Sequence, residues 1–183
     1  ILVALSRVAL AYMVSLQAHT AMNYGTGCLP TPPEVQANHY RLASAPPLAA
    51  INWSQKYHVP AVLKQKNQDG SSSCTGQATC YYCEALNQIE HDKDETYSPR
   101  FVYSQVTVGH GMGAYIWRAM SIPLNPGVAS EESVPGGSNS EATMVDKSAN
   151  GNAKIEAKTD KYAVIPRSSI DQLAQVIQDY HGF

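Results

Sequence analysis

The chain is poor in charge and in phenylalanine, and these shortages narrow what it can be. Of its 183 residues, 13 are Lys or Arg and 15 are Asp or Glu. Charged side chains are thus 15% of the chain, against about 25% in an average soluble domain. A net charge of −2 supplies no bulk positive field to hold a nucleic acid or an anionic membrane. Four cysteines, Cys28, Cys74, Cys80 and Cys83, are too few and too unevenly placed for a small disulfide-stapled scaffold, and they leave the redox compartment open. Twelve Gly and eleven Pro are an ordinary share, which excludes collagen-like and low-complexity character. No internal repeat is visible. What is present is a globular composition: 44% apolar residues argue against disorder, and at about 150 residues per domain the length suits one domain or a little more. Eleven Tyr against two Phe point to half-buried rings whose hydroxyls reach water or a backbone partner.

The chain begins with Ile1, and residues 1–22 are mostly apolar with a single charge, Arg7. The run from Val8 to Leu16 has the length of a signal-peptide h-region, and Ala18-His19-Thr20 is a passable small-x-small cleavage site. The alternative is a helix belonging to a longer chain. Arg7, Gln17 and His19 interrupt the stretch, which argues against a bilayer span of about 20 apolar residues. At the other end, Tyr180-His181-Gly182-Phe183 stops abruptly after a good helical pattern, so the sequence reads as cut at both ends.

Residues 23–50 are rich in Gly, Pro, Ala and Thr, with Pro30, Pro32, Pro33, Pro46 and Pro47, and predict an extended arm over a surface. Cys74, Ala78, Tyr81, Ala85 and Ile89 recur at helical period, predicting a central helix that ends in the polar patch His91 to Glu95. Ser98-Pro99 reads as an N-cap with proline at the first helical position, opening a second helix. Gly109, Gly111 and Gly113 break the chain. A third helix is predicted from Tyr115 to about Leu124, a long polar loop from Gly136 to Gly151, a short strand over Tyr162 to Ile165, and a last helix from Asp171. The expected fold class is α+β with helix dominant.

The informative segment is Lys66-Asn67-Gln68-Asp69-Gly70-Ser71-Ser72-Ser73-Cys74. A cysteine in the first turn of a helix sits where unsatisfied N–H groups and the macrodipole favour an anion, so its pKa is expected to fall. Gln68, six residues earlier across a Gly/Ser-rich turn, is placed to point its side-chain NH2, together with the Cys74 backbone N–H, at the oxygen of a carbonyl under attack. Read from the residues, Gln68 and Cys74 suggest acyl transfer. The competing reading is a buried, inert thiol, the usual state of a cysteine.

The stretch Asn52-Trp53, Val62 and Lys66 to Cys74 resembles the papain family of cysteine peptidases, whose nucleophile loop runs VKNQGxCGSCWAF. Tyr97-Ser98-Pro99-Arg100-Phe101-Val102-Tyr103 is similar to that family's LSPQYLY helix, Gly111-Met112-Gly113-Ala114-Tyr115-Ile116 to its glycine-rich cleft wall, and Gly127 to Glu132 to its GVxxE turn. Gly25 to Glu34 is similar to the GWLPDPPD arm of microbial members, with Cys28 in place of an aromatic. The resemblance covers roughly Trp53 to Phe183. It implies the helical half of a papain-like domain over residues 51–183, with the β-rich half largely missing. It also implies endopeptidase activity through a Cys thiolate and an acyl-enzyme, with no cofactor or metal and a peptide or protein as substrate. By the same resemblance Cys74 is the nucleophile and Gln68 the oxyanion-hole glutamine. Gly113 and Ala114 pair with substrate backbone, with Gly111 and Met112 beside them. Ser71 stands where many members have a disulfide cysteine, and Thr75 replaces an aromatic.

The histidine that a cysteine peptidase needs as base and acid lies about 130 residues or more beyond the cysteine in the family, which would fall past Phe183. None of His19, His39, His58, His91, His110 and His181 stands in the family's HA context. Each reads as a surface residue, with His110 nearest the expected cleft. The fragment alone is therefore expected to be inactive. Cys80-Tyr81-Tyr82-Cys83 is a CxxC inside a helix without a second ligand pair, and reads as buried packing, as Cys28 does. Trp53 and Trp117 read as core anchors. The alternatives are a non-catalytic papain-like binding or structural subunit, and an unrelated helical domain. The resemblance and the apolar leader suggest a secreted or lysosome-like location, while Ser71 permits a cytoplasmic one. Peptide specificity and oligomeric state stay open.

Overall fold

A computed structural model describes residues 27–38, 63, 64, 66–160 and 174. It is a mixed α and β arrangement in which helices dominate and two small two-stranded sheets tie loops together. In chain order the elements are β1 (Cys28–Leu29), α1 (Pro33–Asn38), α2 (Cys74–His91), α3 (Pro99–Val106), β2 (Ala114–Tyr115), α4 (Ile116–Ser121), β3 (Val128–Ala129), α5 (Glu141–Val145), a 3-10 turn (Ser148–Asn152) and β4 (Ile155–Ala157). The expectations for the leader, Trp53, the strand over residues 162–165 and most of the last helix lie outside the described residues. Ala174 alone is described there, as helical.

The central helix forms where its period predicts, from Cys74 to His91, and ends at Asp92 in the left-handed conformation (φ 53°), whose N–H reaches the Gln88 carbonyl. Cys80 and Cys83 face a core completed by Tyr97, Phe101, Val102, Tyr103, Val106, Val128, Val134 and Met144. Helix α3 opens as expected: the Ser98 Oγ accepts from the Phe101 N–H at 3.0 Å, with Pro99 at the first helical position. The crossing of α2 and α3 is close because Gly76 has no side chain. A Cβ there would lie 2.8 Å from the Pro99 carbonyl oxygen and 3.0 Å from the Tyr103 Cβ.

Four sequence expectations are corrected. The proline-rich arm is not extended throughout, because Pro33, whose fixed φ suits a first helical position, starts α1 with Glu34 in its first turn. The stretch from Gly136 to Gly151 is not a loop. Ser140 caps the Thr143 N–H at 3.3 Å and Met144 is fully buried, so a short helix and a 3-10 turn form in a polar segment with little apolar period. Helix α4 stops at Ser121, short of Leu124, because Pro123 has no N–H with which to continue the helical ladder. Cys28 is exposed, not packed.

The tyrosine reading holds for Tyr81, half-buried with its hydroxyl on the Lys64 carbonyl at 2.8 Å, but not for the two rings of the core. Tyr97 and Tyr103 are fully buried, yet their hydroxyls donate to the Glu95 carboxylate at 2.8 Å and to Glu141 at 3.0 Å. Burial, the larger cause, and the nearby Glu141 push the Tyr103 phenol up to about 12. Among the described residues, no helix is long and apolar enough to cross a membrane.

Candidate functional site

The loop that leads into α2 is built by local turn chemistry. The Ser71 N–H donates to the Gln68 carbonyl at 2.9 Å across Asp69 (φ 47°) and Gly70 (φ 78°). Two consecutive left-handed residues make this a type I′ turn, which Asp-Gly favours. Asn67 and Asp69 lock its approach, the Asn67 Nδ2 donating to the Asp69 Oδ1 at 2.6 Å and the Asp69 N–H to the Asn67 Oδ1 at 3.0 Å. Ser71 and Ser73 pair through their hydroxyls at 2.7 Å. Ser73 therefore places no side-chain cap on the helix.

Cys74 is the first residue of α2 and is half-buried. The backbone N–H groups of Thr75 and of Cys74 itself lower its thiol pKa, as expected for a sulfur at a helix start. The net direction is nevertheless opposite to the sequence expectation. Burial, the largest cause, and the neighbouring Cys28 charge raise the Cys74 thiol above its ordinary range. Desolvation penalises the anion more than the two N–H groups reward it. Alkylation of Cys74 by iodoacetamide is accordingly expected to have its half-maximal pH above that of a free cysteine. In Cys28→Ser the half-maximum shifts down; an unchanged profile would remove Cys28 from the environment of the sulfur.

Gln68 lies at the turn six residues upstream. Its Nε2 donates one hydrogen to the Ser71 carbonyl at 2.9 Å, so half of its donor capacity holds the loop. Its other hydrogen has no partner among the described residues.

The glycine-rich wall is held in a tight fold. Gly109, Gly111 and Gly113 all have positive φ, at 156°, 69° and 76°. The Thr107 Oγ1 donates within this loop, lying 2.9 Å from the Gly109 carbonyl and 3.2 Å from that of Gly113. Met112 is 61% exposed and His110 is exposed on the same loop. Gly113 and Ala114 are buried, because they are already paired. The partner is the chain's own arm. The Ala114 N–H donates to the Gly27 carbonyl at 2.7 Å, and β1 runs parallel to β2 with Cys28 opposite Ala114 and Leu29 opposite Tyr115.

The arm is also in contact with the loop that leads into α2. A Cβ on Gly27 would fall 1.8 Å from the Ser72 carbonyl oxygen, and one on Gly113 would fall 2.3 Å from the Gly27 carbonyl oxygen. Gly27 thus fills a slot between Ser72 on one side and Gly113 on the other. The structure brings together Gln68 and Cys74 on one loop, and Gly113 and Ala114 on the facing wall, with residues 27–29 between them.

Two features were not legible from motif spacing. The Glu141 carboxylate accepts from the Ser72 N–H at 2.6 Å and the Gly111 N–H at 2.8 Å, besides the Tyr103 hydroxyl. It ties the loop before α2, the glycine-rich loop and α3 to one point. In the sequence Glu141 lies within the stretch read as a polar loop. The second is the ion pair between Lys66 and Glu84, whose side chains are 17% and 5% exposed. The same Glu84 oxygen accepts the Tyr97 N–H at 2.8 Å, and the Lys66 ammonium also reaches the Tyr97 carbonyl at 3.3 Å. The Tyr81 hydroxyl accepts from the Lys66 N–H and donates to the Lys64 carbonyl at 2.8 Å. These contacts anchor the start of the loop to the middle of α2.

Cys80 and Cys83 are buried, and desolvation raises both thiols, Cys83 to about 12. Trp117 is half-buried, tilted against Tyr115 with the Arg118 guanidinium over its ring. No protein-family model matches the chain, and a search of the curated proteins finds no significant relative.

Proposed function

We propose that this chain carries the nucleophile and cleft wall of a papain-like cysteine endopeptidase. The observation that carries the reading is the placement of Cys74 at the first position of an 18-residue helix, its sulfur under the influence of the first backbone N–H groups, beside the turn that holds Gln68. In this mechanism the Cys74 sulfur attacks a peptide carbonyl carbon. Negative charge develops on the carbonyl oxygen, and the Cys74 N–H and the remaining Gln68 amide hydrogen hold it. Collapse expels the amine, which needs a proton, and leaves a thioester that water hydrolyses. A base must take the thiol proton and return it to the amine. His91 and His110 are the described histidines, and neither is among the groups that shift Cys74, so the reading requires a base from outside the described residues. Productive substrate binding also requires residues 27–29 to leave β2.

The test uses a peptide aldehyde, to which a thiol adds reversibly: the S–C bond forms and the thiol proton passes to oxygen. The aldehyde is expected to bind more tightly than the matched peptide alcohol, and Cys74→Ser to abolish the difference. Gln68→Ala is expected to weaken aldehyde binding by up to about tenfold, the upper end for one neutral hydrogen bond, while leaving the alcohol unchanged. Equal affinity of the wild-type chain for aldehyde and alcohol would refute the peptidase reading.

The burial that raises the Cys74 thiol favours a second reading, a non-catalytic papain-like subunit that presents the cleft to a peptide. There the alcohol binds as well as the aldehyde, and Cys74→Ser is silent.

A further inference from the structure

A second thiol stands one residue past the slot that Gly27 fills against the loop leading into Cys74. Gly27 is wedged between Ser72 and Gly113, which brings the two chain segments into contact one residue before Cys28 and two before Cys74. The Cys28 backbone is fixed opposite Ala114 by the parallel pairing of β1 with β2. Both cysteines are free, Cys28 exposed and Cys74 half-buried, and the Cys28 charge is felt at Cys74 as its second-largest perturbation. The remaining cysteines, Cys80 and Cys83, are sealed in the core.

We propose that Cys28 and Cys74 are an oxidisable pair, joined by a hydroperoxide into a reversible disulfide that pins residues 27–29 across β2 and takes Cys74 out of reaction. The pairing is chemistry of the two thiols and the seated arm. Its meaning as a latch on a peptidase rests on the function proposed above.

Exposure makes Cys28 the first to react. Its thiolate attacks one oxygen of the hydroperoxide, the O–O bond breaks, and the departing alkoxide takes a proton to become an alcohol. The product is a sulfenic acid on Cys28. The Cys74 thiolate then attacks the Cys28 sulfur, the S–O bond breaks, and the departing hydroxide takes a proton to become water. Two thiols lose two electrons and the hydroperoxide gains them. A disulfide asks for Cα atoms about 4.4–6.8 Å apart, so the pairing requires the arm to keep its seat against Ser72 as the bond forms. Two equivalents of a small thiol reverse the bond by exchange. An aromatic at position 28, as in the arm this segment resembles, has no such chemistry.

The experiment exposes the reduced chain to a few equivalents of hydrogen peroxide, blocks residual thiols in acid, and maps the digest without reductant by mass spectrometry. A Cys28–Cys74 linked peptide pair, two hydrogens lighter than its parts and lost on dithiothreitol treatment, is the expected result. In the same samples, oxidation is expected to weaken peptide aldehyde binding more than tenfold, with recovery on reduction. Cys28→Ser is expected to form no link and to carry Cys74 on to sulfinic or sulfonic acid. The proposal is overturned if wild-type Cys74 over-oxidises as fast as in Cys28→Ser, or if either thiol links elsewhere. A missing link with aldehyde preference intact in the reduced chain overturns the latch alone. A link without any aldehyde preference supports the oxidisable pair and removes the peptidase.

Discussion

Lys66→Met is expected to destabilise the fold by about 3 kcal/mol, read as a lowered denaturant midpoint with unchanged slope. Removing one partner of a buried pair costs about 3–5 kcal/mol, because it strands the other charge, and the 17% exposure of the lysine side chain puts this case at the low end. Methionine keeps the aliphatic volume, so the loss reports charge and hydrogen bonding, not a cavity. Glu84 would keep the Tyr97 N–H as a donor, one hydrogen bond against a desolvated carboxylate. The double variant Lys66→Met/Glu84→Gln is expected to recover more than half of the loss, since the neutral amide still accepts from Tyr97. No recovery in the double variant would mean that the pair contributes through packing alone.

Glu141→Ala is expected to cost about 2–3 kcal/mol and to loosen the site at the same time. Three donors lose their acceptor: the Ser72 N–H, the Gly111 N–H and the Tyr103 hydroxyl. Gly111 is exposed, so water takes over there. Ser72 is 6% exposed and Tyr103 fully buried, and each buried group left unsatisfied costs about 1–3 kcal/mol. Hydrogen exchange gives a local readout. The amides of Ser72 and Gly111 are expected to lose protection together, because one carboxylate holds both, while the middle of α2 changes less. Independent behaviour of the two amides would deny Glu141 its bridging role.

What was readable in the chain follows the range of the forces involved. Helix α2 was legible because Cys74 to Ile89 repeats at helical period, and α3 because Ser98-Pro99 is a cap whose partner, the Phe101 N–H, lies three residues away. The turn at Asp69-Gly70 was legible for the same reason: positive φ is a property of two neighbouring residues. The segment over 136–151 was misread because its helix is anchored by one side chain, Met144, buried in a core contributed by distant residues. No period is visible in five residues. The arm was misread in part, since the composition of 23–50 announces prolines but not which of them begins a helix.

The candidate site divides in the same way. Residue order alone singled out the candidate pair: which thiol heads a helix, and which amide stands a turn before it. Only the folded chain decided the charge state and accessibility of that thiol. The Cys28 charge felt at the sulfur and the arm lying on β2 both come from parts of the chain 40 or more positions away. A helix start favours an anion through bonds that any sequence at that position would make, whereas desolvation depends on what packs over the atom. That second quantity is a property of three-dimensional neighbours, and here it outweighs the first.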